Sequence, residues 1–428
     1  SESVYGSVIQ PDGTIVLAAN LGPDLPDVVR QDGLNGTDAG DPGSLVRLSA
    51  DGREVLSVTR ISSRVTDLSA DAQGNLYVAA WEAGIVKLNP QASAVLWQII
   101  DRNDRNAWRV DAADDGTVAG LFHASGASDP QTSKPGSGQV RVMSSEGEVL
   151  GDFRGHRNTL DVAVHAASRT VVRIGWRQAS AWDGSKVQPV QIAYLSGSDY
   201  AGAVRYTAYD WSTERESEDF INRLRNNMAD TRGIRVSIGR DGYLYAAFEA
   251  AGGNHIFRHS PFDIVEQVAI VGGDRFHEFY DSKSEHKTFF ARYEAATGKY
   301  LQGQQLCGRL KSGAANTVRP LAIEADESGR VFIGGAAAAG LPLSWNPPAT
   351  GDYSGGSWLM IMNSDFSVRE FTTRMAPNRQ TLTLATRRTG TQQQLVMGGQ
   401  ATSSLYTQNA VQPSPVTGDD GFFTVFAP

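Results

Sequence analysis

The sequence contains one cysteine, Cys307, among 428 residues. No intrachain disulfide can form from it, and no thiolate metal cluster can be built. Nor is there any run approaching the roughly 20 apolar residues of a membrane-spanning helix, so no membrane insertion is expected. Positive charge is in deficit: 39 Lys and Arg stand against 47 Asp and Glu, a formal net charge of −8. General nucleic-acid binders are usually basic, so nucleic acid is not an expected partner. Net charge says nothing about distribution, however, and a local basic site stays open. Several chemical signatures are missing as well. There is no P-loop, no GxSxG elbow, no CxxCH haem site and no GxGxxG opening a helix.

What the chain does have is a soluble composition, 40% apolar and 20% charged. Its first residues, Ser1-Glu2-Ser3, carry neither Met nor a basic and apolar leader, and read as a mature or trimmed form. With many Asn, Gln, Ser and Thr and a single cysteine, the expected location is secreted, periplasmic or cell surface.

One pattern recurs seven times: a short apolar strand, a turn rich in Asp, Gly or Asn, then a strand ending in small residues. The turns are Pro11–Thr14, Ala72–Asn75, Asp114–Thr117, Ala167–Thr170, Arg240–Gly242, Glu327–Arg330 and Gly390–Gln392. They lead into IVLAAN, LYVAAW, VAGLFH, VVRIGW, YLYAAFE, VFIGGA and QQLVMGG. Gly and Asn accept the positive φ of a tight hairpin, and Asp bonds its own backbone there. The small pairs Ala79-Ala80, Ala246-Ala247, Gly334-Gly335 and Gly398-Gly399 suit places where neighbouring sheets crowd together. Most copies are followed by a second hairpin, as in SLVRLSADGREVLSVTRI. Four meandering strands per unit predict an all-β, seven-bladed β-propeller of four-stranded antiparallel blades, a single domain closed by its terminal strands. The expected blades are 1–61, 62–100, 107–154, 159–211, 233–308, 317–375 and 380–428. Excess length falls in Gly-, Pro-, Asp- or Ser-rich insertions, and only ERESEDFINRLRNNM within 209–233 has helical spacing.

The stretches Phe290–Leu301, Ala325–Gly335, Thr407–Gln412 and Gly418–Phe426 follow FxARYxxxTGxxL, AxDxxGxVxIGG and T…NAVQ…GxDGFFxxF. In these the segment Lys287–Phe426 resembles the SBBP-type bacterial β-propeller repeats. The resemblance implies an exported or cell-surface propeller. It implies no reaction and brings no catalytic residues.

Propellers commonly bind ligands at one end of the central channel. Just before the innermost strands stand Arg64, Arg105 with Asn106, Arg157 with Asn158, Arg232, Asn316, and Asn378 with Arg379. If the blades are equivalent, these side chains ring one mouth. Guanidinium groups bind carboxylate or sulfate through paired donors, and Asn bonds sugar hydroxyls. The competing expectation is that they cap loop carbonyls and pair with Asp67, Asp104, Asp161 and Asp230. After the second strands, Trp81 and Trp176 are candidates to stack on a sugar ring, and His123 with Tyr209 are candidate bases for a polysaccharide lyase. His255, His259, His277 and His286, with nearby acids, suit zinc, although FHEFYDSKSEH lacks HExxH spacing. The loop Asp32–Gly43 has the acid and glycine content of a calcium loop in the wrong order. No cofactor is required; calcium or zinc would be structural. The function expected is binding of an anionic glycan or a cell-surface partner. An enzyme acting on anionic polysaccharide and a structural subunit of a surface assembly are the alternatives.

Overall fold

The computed structural model describes residues 2–22, 43–101, 103, 105–124, 136–156, 158–182, 187–210, 229–251, 256–263, 266–269, 286–345, 354–389, 391–402 and 420–426. Among these residues seven antiparallel sheets follow one another along the chain. Blade 1 holds β1 (Ser3–Ile9), β2 (Ile15–Asn20), β3 (Gly43–Leu48) and β4 (Val55–Ser62). Blade 2 holds β5 (Val65–Ala70), β6 (Leu76–Ala80), β7 (Gly84–Leu88) and β8 (Val95–Ile99). Blade 3 runs from β9 (Arg105–Ala112) through β10 (Val118–Ala124) and β11 (Gln139–Met143) to β12 (Val149–Arg154). Blade 4 runs from β13 (Asn158–His165) through β14 (Thr170–Trp182) and β15 (Val187–Ser198) to β16 (Val204–Ala208).

In blade 5, β17 (Thr231–Ile238) and β18 (Leu244–Ala251) pair inside β19 (His286–Tyr293) and β20 (Tyr300–Leu306). A small hairpin, β21 (Gly308–Arg309) with β22 (Ala315–Asn316), precedes blade 6. That blade contains β23 (Val318–Ala325), β24 (Val331–Ala338), β25 (Gly355–Met362) and β26 (Arg369–Arg374). Blade 7 shows three strands among the described residues, β27 (Arg379–Thr389), β28 (Gln392–Ala401) and β29 (Asp420–Phe426). The helical spacing noted at 214–228 lies outside the described residues.

The innermost strands touch in sequence, β1 to β5 to β9 to β13 to β17 to β23 to β27, and β27 returns to β1. The chain is therefore a closed seven-bladed β-propeller. Both terminal strands stand at the joint: Val4 of β1 packs in one cluster with Val396 of blade 7, and β1 also contacts β29. Ser7 and Thr383 share a hydroxyl hydrogen bond of 2.9 Å across the seam.

The local chemistry is that of the repeat. Asp12, Asp71, Asp115, Asp241 and Asp326 each accept backbone amides within their own turns. The following glycine takes the left-handed conformation, as at Gly13 (φ 88°) and Gly116 (φ 80°). In blade 4 the side chain of Arg169 is carried on a residue at φ 51° instead. The second strands are buried on both faces, and their small residues leave room for backbone. A Cβ on Gly335 would stand 2.0 Å from the carbonyl oxygen of Arg319.

Candidate functional site

Every innermost strand carries a β-bulge at the same register. The residues left out of pairing are Tyr5, Thr66, Trp108, Leu160, Ile234, Leu321 and Leu382. A bulge turns its extra side chain away from the blade faces. Leu160, Ile234, Leu321 and Leu382 meet at the centre with Trp176, and Tyr5 and Ala336 lie against them. These residues form an apolar septum across the ring. Thr66 differs and donates to the carbonyls of Ala79 and Ala107.

On one side of the septum the channel widens to a cavity of about 650 Å³. It is lined by Asp67, Asp111, Asp161, Glu324, Arg109 and Arg235 among others. The inner strands are sheet edges with free amides, and these acids satisfy them. Asp67 accepts from Val110 at 3.1 Å, Asp111 from Val164 at 2.7 Å, and Asp161 from Val236 at 3.1 Å. In each case the carboxylate ties its blade to the next. Arg109 lies 3.9 Å from both Asp67 and Asp161. Burial pushes the Asp67 carboxyl up to about 6, Asp111 to about 7 and Glu324 to about 8, and raises Asp161. Asp67, Asp111 and Glu324 each keep part of their surface open to the cavity.

On the other side lies the mouth from which the innermost strands start. Arg64 stands there over three rings, 4.8 Å from the Trp81 centroid, 5.3 Å from Tyr5 and 5.8 Å from Trp108. Its Nη2 donates to the Tyr5 hydroxyl at 3.1 Å. No carboxylate of the described residues pairs with it. Arg232, the second residue of β17, lies 5.4 Å over Trp176 and donates to Gln191. Aromatic faces hold a guanidinium without consuming its N–H donors.

The remaining rim residues play other parts. Arg105 pairs with buried Asp101 at 3.4 Å, and Arg141 shares that carboxylate at 3.3 Å. Asn106 is buried and accepts the Glu82 amide; Asn158 accepts the Gly136 amide. Asn316 donates to Ala339 and is part of the small hairpin. Arg379 is exposed at the start of β27 with φ 84°. Arg157 lies outside the described residues. The rim expected from sequence thus divides: Arg64 and Arg232 lie over aromatic rings with no carboxylate partner among the described residues, whereas Arg105, Asn106 and Asn316 serve the fold.

Three of the expected roles do not hold, those of His123, Tyr209 and Trp176. His123 is fully buried within β10, with Nε2 2.9 Å from the Thr159 carbonyl. Tyr209 is also fully buried, hydrogen-bonded to the Tyr293 hydroxyl at 2.7 Å, and burial drives its phenol far above the usual value. Neither reaches a substrate. Trp176, 2% exposed, is a platform beneath Arg232 rather than an open sugar-stacking face. Of the four histidines, His255 and His277 lie outside the described residues, as do residues 32–42 of the acidic loop. His259 is buried, and His286 sits 3.1 Å from Glu249 beside Arg319. Among the described residues no three His, Cys, Asp or Glu side chains gather as a metal site. No helix of the described residues is long and apolar enough to cross a membrane.

No family model matches the chain, and no curated protein matches it. Among solved structures, hydrazine synthase from Kuenenia stuttgartiensis is similar, with a TM-score of 0.50 at 11% identity over 100% of this chain and 96% of that one. The likeness is one of fold. A propeller of this kind fits a binding or interaction module in general, and the side chains of the mouth carry the rest of the argument.

His156, in the lead-in to β13, places Nε2 2.9 Å from Asp210, which also accepts from Arg177. Burial pushes the Asp210 carboxyl up, but the hydrogen bonds from His156 and Arg177 outweigh it and hold the group below its usual range.

Proposed function

We propose that the chain is an exported binding propeller of the SBBP type whose ligand is an anionic glycan, held at the mouth bearing Arg64 and Arg232. The carrying observation is Arg64: a guanidinium fixed over Trp81, bonded only to Tyr5, with no carboxylate partner among the described residues. Such a group presents its fork to a carboxylate or sulfate. The septum that floors this mouth is apolar, as the ring face of a sugar requires. Uronates combine both features.

The test is a glycan array followed by calorimetry with uronate and sulfated oligosaccharides. Arg64→Ala is expected to weaken binding about 10-fold or more, and Arg64→Lys to restore only part, since Lys lacks the fork. An array with no acidic glycan bound, or an unaltered affinity in the Arg64→Ala, Arg232→Ala double variant, overturns the reading.

A second reading, a cell-surface protein partner, is favoured by the perimeter. Val55, Val95, Val149 and Val204 open the outermost strands of blades 1 to 4, and Val368 precedes that of blade 6; all are exposed. Apolar side chains repeated at one register suit contact with another protein.

A further inference from the structure

The residue that follows the bulge alternates in charge through four consecutive blades: Asp67, Arg109, Asp161 and Arg235 in blades 2 to 5. All four line the channel cavity. At the same register blades 6 and 7 carry the shorter Ala322 and Thr383, so the opposite arc leaves space. Two residues further along their strands, Ser69, Asp111, Ser237 and Glu324 make a second polar layer. Tyr5, Leu321 and Leu382 of the septum form an apolar floor. At its other end the cavity reaches Asp114, Asp115 and Gly242, exposed residues of the hairpin turns, and so opens to solvent.

The fold uses this charged ring only in part. Arg109 is 7% exposed and donates through Nη1 to the Thr66 carbonyl at 3.3 Å. Its approaches of 3.9 Å to Asp67 and Asp161 are too long for hydrogen bonds. Nε and Nη2 have no hydrogen-bond partner among the described residues. A buried guanidinium with donors left over is costly unless something accepts from them. Glu324, for its part, accepts only through Oε2, from the Ser237 hydroxyl at 3.0 Å, which leaves Oε1 to the cavity. Asp111 accepts the Val164 amide and stands 3.5 Å from the Ser69 hydroxyl, and no cation of the described residues pairs with it. Unused donors and unused acceptors thus face one enclosed space.

Their interleaving decides what fits. An anion set against Arg109 meets Asp67 and Asp161 on either side, and a cation set against those carboxylates meets Arg109 and Arg235. A hydroxyl both donates and accepts, so it satisfies a carboxylate and the neighbouring guanidinium together without adding charge. An apolar floor beneath polar walls matches a pyranose, whose C–H face is apolar and whose hydroxyls stand around its rim. The volume of about 650 Å³ falls within the roughly 300–1,000 Å³ of small-ligand pockets. We propose that the channel cavity is a binding site for a neutral mono- or disaccharide, with Arg109, Asp111 and Glu324 as its polar contacts. It lies across the septum from Arg64 and stands independently of the anionic-glycan reading.

The experiment is calorimetry on the full chain with glucose, galactose, mannose, maltose, cellobiose and lactose, and with sulfate and putrescine as charged probes. At least one sugar is expected to bind at a single site with a Kd of about 1 mM or below, and neither charged probe is expected to bind. Glu324→Ala should weaken the sugar about 10-fold through the lost acceptor. Arg109→Lys keeps the charge but loses the fork, and a loss of similar size, about 10-fold, is expected. Glu324 gives up one side-chain hydrogen bond, so its variant is expected to fold, and melting curves check both proteins. Should Arg109→Lys unfold, Asp111→Asn, which keeps an acceptor for Val164, takes its place and is expected to weaken the sugar at least about 3-fold. The site is overturned if no sugar of the panel binds, if putrescine or sulfate binds instead, or if folded Glu324→Ala binds sugar like the wild type.

Discussion

Asp161 on blade 4 accepts the amide of Val236 on blade 5 at 3.1 Å, across the seam between their innermost strands. The same carboxylate accepts its own Val162 amide at 3.0 Å and lies 3.9 Å from Arg109. Removing it leaves an amide of a sheet edge without an acceptor and a buried guanidinium with one fewer counter-charge. Asp161→Ala should therefore destabilise the propeller by about 2–4 kcal/mol. Asp161→Asn, which keeps one carbonyl acceptor, should cost less. Urea unfolding followed by tryptophan fluorescence compares the two; equal stability of Asp161→Ala and wild type would refute the tie.

The channel acids give the fold a pH dependence of definite sign. Asp111 and Glu324 hold their protons more tightly folded than unfolded, since burial raises both carboxyls, to about 7 and about 8. Folding then binds protons between the ordinary carboxylate range and these values. Their contribution is most favourable below about pH 4 and is lost as pH rises toward 8. Asp111→Asn and Glu324→Gln should each raise the melting temperature at pH 8, by something on the order of 1 kcal/mol of stability, and change little at pH 4. Melting curves of variant against wild type across this range check it. A gain of equal size at both pH values would mean that charge is not the cause.

At the joint between blades 1 and 2, Gly6 follows the bulge of β1. A Cβ there would lie 2.6 Å from the Leu68 amide nitrogen, which is backbone and cannot rotate away. Gly6→Ala is expected to cost roughly 1–3 kcal/mol through overpacking. Thermal unfolding reads the loss, and a variant as stable as wild type would show that the two blades stand further apart.

Tyr209→Phe separates structure from chemistry. It removes the hydrogen bond to Tyr293 inside a cluster of Phe248, Phe257 and Tyr293. The expected cost is about 1 kcal/mol, with no change in ligand affinity. A selective loss of binding in a stable Tyr209→Phe protein would return this residue to the site.

Much of this could be read along the chain because hairpin chemistry is local. Gly13, Gly74 and Gly116 mark turns by their own backbone freedom, and seven turn-plus-strand units along the sequence count the blades. Repeat register likewise pointed to Arg64 and Arg232 as residues at the starts of innermost strands, though not to the rings each lies over. His123 and Tyr209 were misplaced because polarity in sequence does not report burial; neighbouring blades enclose both. The pair His156 and Asp210 gave no signal, since the two lie far apart in the chain and meet only when blade 4 brings its end back past its start.

The sequence by itself determined the all-β propeller and its seven units, because strands and tight turns follow from neighbouring residues. Tertiary structure decided the rest. Whether a guanidinium meets a carboxylate depends on what the fold sets beside it: Asp101 for Arg105, and among the described residues aromatic rings and the Tyr5 hydroxyl for Arg64. The septum, the shifted acids and the oriented imidazole all arise from contacts between distant strands, and local composition does not encode those distances.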